Sequence, residues 1–203
     1  MRFVKSNLFV VVLTVVALGS CDFHSARDEF DQQLEFCTLA ENNGLLESAV
    51  RGCEAALVVA EKEGYAPDVI SNLLYRLGRM ARQRNQFTEA EELMRRSLAI
   101  VQQSGEQTAV AVRLIDLSLS LAGQGHWADG AQLLDRASLL SGDLAGRDRK
   151  AAAGAFRLFS VRLHNLGETT LAEDFQATSQ ELARPGTQAS KTDATAASPV
   201  RDN

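Results

Sequence analysis

Proline is scarce in this chain, three residues in 203, and phenylalanine is modest at nine, while Ala, Leu, Glu, Gln and Arg are abundant. That balance removes the main helix breaker and supplies good helix formers, so an all-α fold is expected. Histidine is also sparse: His24, His126 and His164 fall in three separate segments, and none stands at metal-ligand spacing from a cysteine, another histidine or a carboxylate. No Gly-rich phosphate loop, nucleophile elbow or zinc-helix motif occurs. Acid pairs such as Asp28–Glu29 and Glu91–Glu92 sit where first helical turns are expected and complement the helix dipole. The expectation is a non-enzyme with no cofactor and no metal. A cluster of Lys and Arg is missing too. The formal charge is −5, and without residues 1–20, which hold Arg2 and Lys5 and no acid, 19 cations face 26 anions, a net of −7. Phosphate neutralisation needs clustered cations, so nucleic acid is not expected as a partner. With 45% apolar and 23% charged residues, the composition is that of a medium globular domain plus tails.

A long hydrophobic run is likewise absent. "LFVVVLTVVAL" (8–18) has eleven residues, about 16 Å of helix against a bilayer core of about 30 Å. Behind the cationic "MRFVKSN", it has the pattern of a signal-peptide h-region. The run ends in "LGSC", which resembles a bacterial lipobox: Leu18, two small residues and Cys21. The resemblance implies a lipoprotein signal peptide over 1–20, an acylated Cys21 thiol, and a short tether over 21–25. Two or more acyl chains, at about 0.8 kcal/mol per buried methylene, hold a protein on a bilayer. The alternative is an ordinary secretory signal cut near Ala17 or Gly19. Asp22 resembles the residue that retains enteric lipoproteins in the inner membrane. The expected location is therefore the bacterial envelope, lipid-anchored and periplasm-facing.

"NLLYRLGRMARQRNQFTEAEELMRRSLAI" (72–100) holds two amphipathic segments around a short break. Leu74, Leu77, Gly78 and Ala81 recur at helical spacing on one, and Ala90, Leu93, Met94, Ser97 and Leu98 on the other. Thr88 with Glu91, and Thr170 with Glu173, have capping-box spacing, and Phe87 stands where a staple residue would. A shift of 40 carries Phe87, Ala90 and Ser97 onto Trp127, Gly130 and Ala137, and a shift of 42 carries Leu121 and Gly130 onto Leu163 and Ala172. A shift back of 41 carries Phe87, Ala90, Met94 and Leu98 onto Leu46, Ala49, Cys53 and Leu57. Four helical hairpins at a period near 41 thus span about 26–184. Each leaves an apolar face uncovered, so neighbours must stack. "AVAVRLIDLSLSLAG" (109–123), charged only at Arg113 and Asp116, suits the middle of such a stack. The pattern resembles the tetratricopeptide repeat family, in particular its longer-period, kinesin-light-chain-like form. The connector "EKEGYAPDV" (61–69), with Pro67 at a first helical turn, is similar to that family's linker. The resemblance implies a right-handed solenoid with a concave inner face. Residues 185–203, small and polar without apolar periodicity, are expected to form a disordered tail.

Cys37 and Cys53 lie eight residues either side of Leu45 in the first hairpin turn. In an antiparallel helix pair they therefore sit at equal height on the packed seam. Helix axes pack about 8–10 Å apart and a disulfide needs Cα atoms within roughly 7 Å, which a seam of small residues permits. A disulfide and a pair of reduced core thiols both fit this placement.

On the first helix of each hairpin, steps of three, four and three keep one stripe on one face. It runs Asn72, Tyr75, Arg79, Arg82 in the second repeat; Val112, Ile115, Leu119, Ala122 in the third; and Gly154, Arg157, Val161, His164 in the fourth. An apolar middle flanked by cations suits an extended or helical peptide with apolar anchors and carboxylates. The alternative is that Ile115 and Leu119 are core and the arginines merely solvated. Leu34 and Thr38 stand where chaperone-binding members of the family carry a carboxylate clamp, so that clamp is not expected. The functional expectation is a membrane-tethered adaptor or scaffold for a protein or peptide partner in an envelope assembly. A self-associating homo-oligomeric platform and a non-catalytic accessory subunit of a periplasmic enzyme are the alternatives.

Overall fold

The computed structural model describes residues 25–184. The expected signal segment 1–20, Cys21 with most of its tether, and the expected tail 185–203 lie outside the described residues. Among the described residues there are eight helices and no strand: α1 (25–42), α2 (Leu46–Lys62), α3 (Pro67–Gln83), α4 (Phe87–Ser104), α5 (Gln107–Gly123), α6 (Trp127–Ser138), α7 (Gly146–Asn165) and α8 (Thr169–Ala183). Helices pair as hairpins in chain order, and each hairpin stacks on the next through α2 on α3, α4 on α5 and α6 on α7. The first helices also touch across repeats, α3 with α5 and α5 with α7. They line the inner side of the stack.

Each hairpin closes with one and the same turn. A left-handed residue stands at Gly44, Asn85, Gly125 and Gly167, with φ of 70°, 60°, 86° and 86°. The residue after it donates its N–H five positions back: Leu45 to Ala40 O, Gln86 to Ala81 O and His126 to Leu121 O, each at 2.9 Å, and Glu168 to Leu163 O at 3.0 Å. This Schellman closure satisfies carbonyls that the helix end leaves orphaned. The four turns recur at steps of 41, 40 and 42 residues, the same steps that align the apolar positions.

The turn also corrects the expected capping boxes. α4 starts at Phe87 with Gln86 as its cap residue, and α8 starts at Thr169 with Glu168, neither with a side-chain cap bond. Thr88 and Thr170 therefore lie inside first turns, because the Schellman closure delivers the chain into the next helix before it reaches them. Thr88 Oγ1 donates instead to Gln124 Oε1 at 3.3 Å. Pro67 does open α3.

The core divides into two apolar clusters. One runs from Phe30 to Met80 over α1–α3, and the other from Met94 to Leu182 over α4–α8. α5 is buried on several faces, with twelve buried residues, as a mid-stack helix must be. At the boundary sit Ser71 and Ser97, both fully buried. Ser97 Oγ donates to Ser71 O at 2.8 Å, the two hydroxyls are 3.0 Å apart, and Arg113 Nε donates to Ser97 Oγ at 3.2 Å.

In the first hairpin, Cys37 and Cys53 are fully buried and joined by a disulfide, with Cα atoms 5.1 Å apart. Gly52 permits this approach. A Cβ there would lie 2.8 Å from the Cys37 backbone nitrogen, so any side chain at 52 would push α1 and α2 apart.

Candidate partner-binding groove

The inner side is shaped first by a polar junction between α3 and α5. Tyr75 Oη donates to Asp116 Oδ2 at 2.7 Å, and Arg82 Nη2 donates to Asp116 Oδ1 at 2.9 Å. Arg113 Nη2 donates to Asn72 Oδ1 at 2.8 Å, and its guanidinium lies 4.0 Å from the Tyr75 ring centroid. Two ionised groups on an otherwise apolar helix require such partners, because an unpaired buried charge is costly. Burial, then the charge of Asp116 and the hydrogen bond to it, push the Tyr75 hydroxyl far above the usual tyrosine range. Burial lowers the Arg113 pKa, while Tyr75, Asp116 and Asp148 act the other way.

This junction redistributes the expected recognition stripe. Ile115 is 4% exposed and belongs to the larger apolar cluster, so it is a core residue and not a ligand anchor. Leu119 is half-buried against the same cluster. α5 is packed between neighbours on both sides, and its apolar stripe is drawn into those seams. Asn72, Tyr75 and Arg82 are engaged with α5. Arg157 and His164 are exposed on α7, but they line two other clefts.

What remains open is a groove of about 430 Å³. Glu41 and Asn42 from the end of α1, Tyr75, Arg79 and Gln83 from α3, and Arg147 from the first turn of α7 line it. Arg76 is paired with Glu41 at 2.6 Å and also donates to Thr38 Oγ1 at 3.1 Å. Arg79 and Arg147 form no ion pair among the described residues. The groove therefore carries two uncompensated positive charges beside a tyrosine ring, in a chain of net charge −5. Sequence reasoning missed Arg147, although "GRDRK" (146–150) is the one place where three cations fall in five residues. The partner roles of Arg113 and Asp116 were signalled only by their being lone charges three apart on an apolar helix.

Among the described residues no group of three or more His, Cys, Asp or Glu is placed to hold a metal ion, and no helix is long and apolar enough to cross a membrane. No family model matches the chain, and comparison with curated proteins finds no match. Solved structures do match. A kinesin light chain-like protein from Podosopora anserina with nearly identical TPR-like repeats is 15% identical, with 75% of this chain and 74% of that one covered and a TM-score of 0.57. A single-substitution variant of that protein is 16% identical, covering 83% and 82%, with a TM-score of 0.61. BtubC (BKLC) from P. vanneervenii is 16% identical, covering 86% and 70%, with a TM-score of 0.66. Together with the four stacked hairpins, these likenesses establish the fold as an all-α, tetratricopeptide-like solenoid.

Proposed function

We propose that the protein is an adaptor without chemistry of its own, which holds an acidic peptide segment of a partner protein in the inner groove. The observation that carries this reading is the pair Arg79 and Arg147, both facing one groove and neither ion-paired among the described residues. A peptide carboxylate placed there meets two guanidinium forks. The "LGSC" motif supports attachment of the adaptor to a bacterial envelope membrane through Cys21, with residues 1–20 as signal peptide, Asp22 favouring the inner membrane, and the solenoid over 26–184 followed by a tail.

The two parts are tested separately. Arg79→Glu with Arg147→Glu should abolish binding of acidic peptides in an anisotropy assay, and binding should weaken as salt rises, because exposed charges are screened within about 8–10 Å. Arg95→Glu with Arg96→Glu, on the outer helix of the same hairpin, should leave binding intact. Loss in the outer pair and retention in the inner one would place the site on the opposite face. For attachment, labelled palmitate should enter the wild type and not Cys21→Ser, and equal labelling of both would remove the anchor.

A further inference from the structure

A second cleft, of about 490 Å³, lies between the start of α7 and the end of α8, apart from the inner groove. Arg149, Lys150, Arg157 and Arg184 line it, with Gly146 and Gly154 among its other walls, and no acid is among the lining residues. Four cations around one cleft set it apart in an acidic chain, and their summed positive potential favours an anion there. None of the four forms an ion pair among the described residues. Asp148 stands in the first turn of α7 but is not among the lining residues, and the Glu181 backbone carbonyl accepts from Arg149 Nη2 at 2.9 Å.

That bond holds the Arg149 guanidinium in place, and its Nε is buried with no partner among the described residues. An ideal Cβ at Gly154 would touch nothing within 4 Å, so the floor of the cleft is open to a ligand. Gly146 begins a helix of 20 residues whose cap residue, Ala145, supplies no side-chain acceptor, so the first-turn N–H groups add to the positive field.

We infer that this cleft binds a phosphate group, carried either by a soluble anion or by the headgroup of an anionic lipid. Guanidinium forks on more than one side match the several acceptor oxygens and double charge of a phosphate better than the two oxygens of a lone carboxylate. The inference does not depend on the inner groove, because the two share no lining residue.

Lys150 reports on the cleft directly, and Lys62 on α2 serves as the reference lysine. The full chain, mixed with phosphatidylcholine nanodiscs, is treated with a water-soluble acetylating reagent at fixed ionic strength. One arm contains chloride, one contains inorganic phosphate, and one replaces part of the lipid with phosphatidylglycerol. Phosphate at ten times its dissociation constant should slow Lys150 acetylation roughly tenfold relative to chloride by occupancy alone, with Lys62 unchanged. Arg157→Gln, an exposed position, should lose most of that protection. Protection by phosphatidylglycerol but not by inorganic phosphate supports the site with lipid as its source, and protection by inorganic phosphate supports it with a soluble anion. If Lys150 is unprotected in both arms, if Lys62 is protected equally, or if Arg157→Gln keeps full protection, the inference is overturned.

Discussion

Asp116 shows how one side chain can hold two repeats together. Its carboxylate accepts a hydrogen bond from Tyr75 and another from Arg82, so α5 is tied to α3 at two points. Removing it leaves a largely buried hydroxyl and guanidinium short of a partner, and Asp116→Ala should cost about 1–3 kcal/mol in urea unfolding. Arg82→Glu is worse placed than its partial exposure suggests, because it sets a second carboxylate against the first. Tyr75 adds a pH signature. Its folded pKa is raised well above the ordinary value of 10.0, so the folded state holds the phenol proton more tightly than the unfolded chain does. The corresponding stability is fully present below pH 10 and is lost as the pH rises from there towards the folded value, at up to about 1.4 kcal/mol per unit. Unfolding free energies measured from about pH 9 to pH 11 should fall more steeply in the wild type than in Tyr75→Phe. Parallel slopes would mean that Tyr75 ionises as freely in the folded protein as in the unfolded chain.

At the scale of single helices, turns matter more than caps. Asn85 is the one left-handed residue among the hairpin turns that is not glycine. A β-branched side chain there meets the steric cost of left-handed backbone, so Asn85→Val should destabilise by about 1–2 kcal/mol, while Asn85→Gly should change stability by no more than about 0.5 kcal/mol. Thr88 has the spacing of an N-cap without the position of one. Thr88→Ala should therefore cost well under the roughly 1 kcal/mol of a genuine cap, and thermal unfolding that shows a full cap penalty would contradict the helix start at Phe87. Helix spacing obeys the same small-residue logic. Gly52 against the Cys37 backbone, and Gly78 with Met94 Cε 2.9 Å from where its Cβ would be, are places where adjacent helices press close. The first of these is a backbone contact that cannot yield. The second meets the end of a flexible side chain that can.

Over the whole molecule, stability is assembled from hairpins that touch chiefly their neighbours. The disulfide closes 16 residues of the first hairpin, a crosslink worth on the order of 3 kcal/mol. In a cooperative globule its loss would be felt throughout. Here, the double change Cys37→Ala with Cys53→Ala should speed amide exchange in α1 and α2 on the order of a hundredfold, with α7 and α8 little affected. Uniform acceleration across all helices would show that the two apolar clusters unfold as one, despite the polar layer of Ser71, Ser97 and Arg113 between them.

Much of this architecture could be seen in the chain as written. The helices, their pairing, the period near 41 and the equal heights of Cys37 and Cys53 all depend on residues close in sequence, where helical spacing and turn chemistry act locally. The stripe from Asn72 to His164 was legible as a set of residues sharing helix faces, but its exposure was not. Ile115 went into the core, and Arg82 to Asp116, because α5 has neighbours on both sides and a buried charge takes whichever opposite charge is nearest in space. The same holds for the clefts. Curvature accumulated over successive hairpins brings Arg147 to a groove lined by Glu41, and the packing of α8 along α7 sets Arg184 beside Arg149, Lys150 and Arg157. The one short basic run, "GRDRK" (146–150), gains Arg157 and Arg184 beside it on folding, since Coulomb's law acts on distance in space and the sequence records only distance along the chain.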